Sequence, residues 1–176
     1  SLHGIEFRNC YGCTVNNTQI DNGGGTVITI FGPDNTNYIY AGNGIEFGLS
    51  SAETSVDEVS VSDVFDSCIS PQTYDSGQIA ANQTYTNMTL ARCGFAGVEI
   101  SVLSNGGSTG STLSNITIAN SNITEMGKGW SGRRYGTEGH GIRIQADDGA
   151  GSIANTIVSQ TNISDVAGDG IKIVGD

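Results

Sequence analysis

The sequence predicts an all-β chain wound as a right-handed parallel β-helix, a solenoid of about five to seven coils. Three observations carry this. A short apolar phrase returns in order along the chain, β-branched residues alternate with polar ones in bursts of four to five, and glycine and asparagine turns stand where helix-forming runs would be.

The phrase is Gly, apolar, charged, apolar. It occurs as His3-Gly4-Ile5-Glu6-Phe7, Asn43-Gly44-Ile45-Glu46-Phe47, Ala96-Gly97-Val98-Glu99-Ile100, His140-Gly141-Ile142-Arg143-Ile144 and Asp169-Gly170-Ile171-Lys172-Ile173. The glycines lie 40, 53, 44 and 29 residues apart, so strands keep their order while loops vary. The interval of 53 predicts one degraded coil, placed around Ser76-Gly77-Gln78-Ile79-Ala80. Period two sends both apolar residues of each copy to one face and the charge to the other, and a coil can bury only the apolar face.

A second phrase lies between copies. It is clearest from Asn115 to Thr124 and from Thr156 to Ser164, and weaker from Cys13 to Ile20, Asp57 to Phe65 and Asn87 to Ala91. These read as the second and third strands of each coil, joined by turns. Asn17, Asn122 and Asn162, at the turn before the third strand, are expected to stack as a ladder of side-chain amides.

Composition bounds the rest. With 26 glycines, two prolines, seven Lys plus Arg and 18 Asp plus Glu, the formal charge is −11. Nucleic-acid binding needs clustered cations and is excluded. No stretch approaches the roughly 18 apolar residues of a membrane span. At 176 residues, one domain over 1–176 can bury a continuous core. Neither end carries an amphipathic cap, so the chain reads as an excerpt of a longer β-helix, or as a unit whose open ends stack on other copies as a homo-oligomer.

Cys10, Cys13, Cys68 and Cys93 fit two disulfides in an oxidising, extracellular compartment. Cys10-Tyr-Gly-Cys13 also has the spacing of a zinc half-site, with no second close pair to complete it. Six Asn-X-Ser/Thr sequons start at Asn16, Asn82, Asn87, Asn115, Asn122 and Asn162, a number that a chain this rich in Asn and Thr generates by chance.

Function must be read from what projects outward. The outward column of the first strand is expected to run Glu6, Glu46, Gln78, Glu99, Arg143, Lys172, spaced ~4.8 Å per coil. Charges there guard against aggregation; they would also line a groove for an extended polar polymer. Three insertions, Gly23 to Gly42, Ser70 to Asp75 and Gly127 to Gly139, precede this strand and would overhang one edge of its sheet. The last holds Trp130, Arg133, Arg134 and Tyr135, where an aromatic face suits a sugar ring and Arg suits a carboxylate.

The segment Gly141-Ile-Arg-Ile-Gln145 through Gly149-Ala-Gly-Ser-Ile153 to Gly170-Ile171 resembles the coil of polygalacturonase-type glycoside hydrolases that carries Gly-Val/Ile-Arg-Ile-Lys and Gly-X-Gly-Ser-Val, within the pectin-lyase-like β-helix superfamily. The resemblance covers about 35 residues. It implies that Arg143 binds a uronate carboxylate, with Gln145 standing where the family has Lys. The family's catalytic Asp of Asn-Thr-Asp falls at Asn43, its Gly-His-Gly histidine at Ala96, and its Asp-Asp-Cys loosely on Asp66-Ser67-Cys68. Gly139-His140-Gly141 comes one coil later than the family would have it. The resemblance also implies a Cys68–Cys93 disulfide.

If the groove is catalytic, Glu46 and Glu99, two coils apart at roughly 9.6 Å, suit an inverting glycosidase, which needs two carboxyls flanking the bond. A lyase would use His140, Arg143 and Lys172 as base and cations. No cofactor is required; Asp147-Asp148 offers oxygen ligands to calcium. The expected function is that of a secreted protein engaging an acidic, uronate-containing or neutral polysaccharide and cleaving it. The alternative is a non-catalytic fibre, adhesin or tailspike-like stalk.

Overall fold

The computed structural model describes residues 3–23, 26–30, 37–104, 107, 109–128 and 139–175, with backbone alone over 26–30 and 37–41. Trp130, Arg133, Arg134 and Tyr135 lie outside the described residues.

The described chain is all-β and repeats a three-strand unit. Repeat one supplies β1 (Ile5–Arg8), β2 (Thr14–Asn16) and β3 (Gln19–Asp21), followed by a hairpin of β4 (Thr26–Ile30) and β5 (Asn37–Ala41). Repeat two supplies β6 (Ile45–Gly48), β7 (Ser55–Asp57) and β8 (Ser60–Ser62); repeat three β9 (Ile69–Thr73), β10 (Ile79–Thr86) and β11 (Thr89–Ala91). Repeat four supplies β12 (Ala96–Val102), β13 (Ser111–Ala119) and β14 (Asn122–Thr124); repeat five β15 (His140–Ala146), β16 (Gly151–Ser159) and β17 (Asn162–Ser164), after which comes β18 (Ile171–Val174). The first sheet runs β1-β6-β9-β12-β15-β18, the second β2-β7-β10-β13-β16 and the third β3-β8-β11-β14-β17, every pairing in them parallel. Only the β4–β5 hairpin pairs antiparallel among the described strands. This layout is compatible with a parallel β-helix.

The recurring glycine has a steric cause. Gly4, Gly44, Gly97, Gly141 and Gly170 fall in one column, each just ahead of the inward apolar residue of the first sheet. A Cβ at Gly97 or Gly141 would come within 2.4 Å of Ile123 or Ile163 Cγ2, and one at Gly44 within 2.5 Å of Val61 Cγ1. The branched residue of the third sheet therefore fills the space that a side chain would need. Repeat three departs from this: Cys68 takes the glycine's place and is cross-linked to Cys93.

That departure hid the repeat. Ile69 pairs with both Ile45 and Val98, so the third strand of the first sheet is β9, and the residue opposite Glu46 is Ser70. Gln78 is not in the column, and Ser70 to Asp75 is mostly strand rather than an overhanging loop. Pro71, lacking an N–H, is skipped in the pairing with β12. Two insertions, 23–42 and 127–139, remain ahead of first-sheet strands.

Inside, Ile45, Phe47, Ile69, Val98, Ile100 and Ile142 meet Leu90, Ile116, Ile118 and Ile123 from the other sheets in one core. Each fully buried Val, Leu or Ile contributes about 1.5–3 kcal/mol relative to exposure. Phe7 stacks on Phe47 at 5.1 Å, and Phe47 tilts against Tyr85 at 6.0 Å. The buried Tyr85 hydroxyl donates to Gln83 Oε1 (2.8 Å), and Gln83 Nε2 donates to the Ser51 carbonyl (2.7 Å), so this polar insertion is satisfied.

The corners are stacked left-handed residues. One column is Gly12, Glu53, Asn82, Asn115 and Asn155, a second Asn17, Glu58, Asn87, Asn120 and Gln160, and a third Asn22, Asp63, Arg92, Glu125 and Asp165, all at φ between 48° and 71°. Asn enters this region at least cost among branched-free side chains with a Cβ. The amide ladder expected of Asn17, Asn122 and Asn162 is split accordingly: Asn162 Nδ2 donates to Asn122 Oδ1 (2.9 Å), whereas Asn17 belongs to a corner column. A second ladder runs from Asn155 to Asn115 (3.1 Å) and from Asn115 to Asn82 (2.9 Å). Four of the sequon asparagines, Asn82, Asn87, Asn115 and Asn162, thus use their amide N–H on the preceding repeat.

Cys10 is bonded to Cys13 and Cys68 to Cys93, which removes the zinc half-site alternative. Two disulfides mark an oxidising environment. No described helix is long and apolar enough to cross a membrane.

Candidate functional site

The outward face of the first sheet carries charge that is buried at Glu46 and half-buried at Glu99 and Arg143. Strand alternation puts Glu6, Glu46, Ser70, Glu99, Arg143 and Lys172 in one row, each on its own strand. Arg8, Gly48, Gln72, Ser101, Gln145 and Val174 form the adjacent row. Glu46 is 3 % exposed and Ser70 and Ser101 are 0 % exposed, values normally found in a core.

Turns entering the sheet add to this row. Asn43 Nδ2 donates to Glu46 Oε2 (2.9 Å), and its Oδ1 accepts the Ser67 N–H (3.1 Å), so one amide ties Glu46 to the turn of the next repeat. That turn presents Asp66, buried, and Ser67, whose hydroxyl donates to Glu99 Oε2 (3.0 Å). Arg143 Nη1 lies 3.8 Å from Glu99 Oε1, and its guanidinium sits 4.6 Å over the Phe95 ring. A Cβ at Gly48 would stand 3.0 Å from the Tyr74 hydroxyl and 3.3 Å from Glu46 Oε1, so glycine leaves room for both side chains.

Electrostatics follow from the crowding. Burial pushes the Asp66 carboxyl well above the usual aspartate range; the charges of Glu99 and Glu46 push it further, and Arg143 opposes them. Glu99 is also raised by burial, with Arg143 and the Ser67 hydroxyl pulling the other way. Among the described residues three carboxyls converge around Glu99 and Arg143, an arrangement that raises the proton affinity of Asp66.

Of the residues expected from sequence, Glu46, Glu99 and Arg143 come together. Lys172 stands opposite Arg143 on β18, and Gln145 lies two residues along β15, donating to Asp147 Oδ1. His140 opens β15 opposite Ala96 and lies off the row: its Nδ1 accepts the Asp169 N–H (2.9 Å), its ring meets Phe95 edge-on and it is 1 % exposed. His3 is used in the same way, its Nδ1 accepting the Asn43 N–H (3.2 Å). Asp66, Ser67 and Asn43 are not reached by outward projection because they sit in turns; the resemblance alone touched them, through Asn-Thr-Asp at Asn43 and Asp-Asp-Cys at Asp66-Ser67-Cys68.

For a metal, His3, Glu6 and Glu46 offer ligand atoms within 4.8 Å of one another. Glu6, however, holds the Arg8 guanidinium, and the lone pair of His3 Nδ1 serves either the Asn43 N–H or a cation. Asp147 accepts the Ser104 N–H (2.9 Å) and the Gln145 amide, which makes its carboxylate part of the turn. A cavity of about 300 Å³ beside β15 and β18, lined by Ile144, Asp147, Asp148, Ile153, Ile173 and Val174, is separate from the carboxyls. Its lining lacks convergent acid and base groups, so the buried cluster is the better candidate. Comparison with family models, with curated proteins and with solved structures finds no match.

Proposed function

We propose that the chain is a right-handed parallel β-helix of the pectin-lyase-like kind, secreted, which binds an extended polysaccharide along the first sheet and cleaves it as a glycoside hydrolase. Right-handedness is the physical default for a strand–crossover–parallel strand connection. The observation that carries the activity is the placement of Asp66: a buried carboxyl crowded by Glu46 and Glu99, which raises its proton affinity, is what a general acid requires. In this reading Asp66 donates its proton to the leaving glycosidic oxygen. Glu99 or Glu46 takes a proton from water as it attacks the anomeric carbon. Direct attack by water, with one carboxyl as acid and another as base, is a single displacement and inverts the anomeric configuration.

The test is reducing-sugar release over a polysaccharide panel, with ultraviolet absorbance of unsaturated uronates as the lyase arm. Asp66→Asn and Glu46→Gln are expected to lower turnover at least about 100-fold, and Arg143→Ala to act mainly on KM. A folded protein silent in both arms across the panel sinks the reading.

One observation favours the stalk instead. Asn43 and Ala96 stand where the resemblance expects a catalytic Asp and His. Concentration-dependent filaments in sedimentation, together with silence in both assays, would establish that alternative.

A further inference from the structure

The same sheet face carries a pattern of unsatisfied groups that bears on what kind of glycan it takes. Among the described residues, Ser70 Oγ, Ser101 Oγ, Arg143 Nε and Gln145 Oε1 are buried without a hydrogen-bond partner. All four lie on the outward side of β9, β12 and β15, in two adjacent rows, and Ser70 and Ser101 are 0 % exposed. Leaving a buried polar group without a hydrogen bond is unfavourable, so a patch of four calls for a ligand.

Their chemistry selects the ligand. Two hydroxyls both donate and accept, the guanidinium Nε–H donates only, and the Gln145 carbonyl accepts only. The orientation of that amide follows from its neighbour: Nε2 donates to Asp147 Oδ1, which leaves Oε1 on the unsatisfied side. A carboxylate has acceptors alone and cannot satisfy Gln145 Oε1. It would also meet Glu99, whose carboxylate already lies 3.8 Å from the Arg143 guanidinium, with Glu46 and Asp66 behind it. A sugar hydroxyl donates and accepts at once and brings no charge. Arg8, the other cation of these rows beside Lys172, is held on Glu6. Long-range charge agrees, since a chain at −11 repels a polyanion.

We propose that Ser70, Ser101, Arg143 and Gln145 form a hydroxyl-reading subsite for a neutral polysaccharide, and that Glu99 excludes uronates by occupying Arg143. This rests on the reading that the first sheet engages a glycan, and it departs from the uronate that the sequence resemblance implies.

The test is affinity electrophoresis and calorimetry at neutral pH with xylan, mannan, galactan and polygalacturonate, on the wild type, Glu99→Gln and Gln145→Lys, each first shown to melt cooperatively. The wild type is expected to bind at least one neutral polymer, with polygalacturonate at least about tenfold weaker. Glu99→Gln releases Arg143 and is expected to strengthen polygalacturonate binding about tenfold with less change toward the neutral polymer, whereas Gln145→Lys replaces the accepting carbonyl by a cation and is expected to strengthen polygalacturonate binding and weaken the neutral polymer, each about tenfold. A wild type that prefers polygalacturonate overturns the subsite assignment and leaves the glycan reading standing. Unchanged polygalacturonate affinity in both variants, with neutral binding intact, also overturns it. Absence of binding to all four polymers by all three folded proteins overturns the glycan reading itself.

Discussion

The outward sides of the first sheet and of the other two are built by the same alternation, yet they end in opposite states. On the second and third sheets the outward polar groups bond to one another from repeat to repeat: Ser55 to Thr14, Ser62 to Asp21, Thr86 to Asp57, Asn162 to Asn122, with the Asn82, Asn115 and Asn155 ladder at a corner. Those groups are largely exposed and need nothing more. In the middle of the first sheet the outward groups are buried or half-buried, three carboxyls are crowded together and four polar atoms are unsatisfied. Stacked parallel strands can close such ladders on themselves cheaply, because paired polar side chains recur every ~4.8 Å. A face that declines to do so, and accepts desolvated charge, is bearing a cost that function explains.

The largest way to break this contrast is through the disulfides. Cys68–Cys93 spans 25 residues and holds the turn that presents Asp66 and Ser67, whereas Cys10–Cys13 spans three. Replacing Cys68 and Cys93 with Ser is expected to cost about 3–4 kcal/mol in urea unfolding, and replacing Cys10 and Cys13 about 1–2 kcal/mol. Equal costs would mean that the crosslink beside the carboxyls is nothing special.

Asp66 gives the next effect, with a definite sign. Its folded value is raised, so the native state keeps a proton that the unfolded chain releases above its ordinary value of 3.8. That stabilisation is complete below the ordinary value and is lost as pH rises through the folded one. Asp66→Asn mimics the protonated acid. It is expected to raise Tm at neutral pH by about 3 °C, corresponding to about 1 kcal/mol, and to leave Tm unchanged near pH 3. A variant that is less stable at neutral pH would show that Asp66 is ionised and paired, against its assignment as the acid.

The smallest effect belongs to the satisfied side. Asn115→Ala removes both bonds of that corner ladder, to Asn82 and from Asn155, and because both are exposed it is expected to cost about 1 kcal/mol, with polysaccharide binding unchanged. A loss of binding would show that the two faces are not separable.

How much of this was legible follows from the range of each interaction. The Gly-Ile-X-Ile phrase could be read because its cause repeats: a branched residue of the third sheet presses on that glycine in repeat after repeat. Where the cause changed, at Cys68, the repeat was misplaced to Gln78. The Asn17 assignment failed because two turns of similar composition, one left-handed and one ladder-forming, look alike in one dimension. Glu46, Glu99 and Arg143 were visible as outward charges, but Asp66 was not, since its neighbours come from repeats two, four and five and its raised proton affinity exists only when they are stacked.

By itself the sequence determined the period: which residues turn inward, where the chain bends, that the surface is acidic and that parallel sheets must result, because these depend on neighbours within a few residues and on a pattern that recurs. Only the tertiary structure decided the register in the third repeat, the pairing of the cysteines and the burial of Asp66, Ser70 and Ser101 beside Glu46, Glu99 and Arg143. Those are properties of contacts between residues tens of positions apart, and desolvation is a property of what surrounds a group rather than of the group.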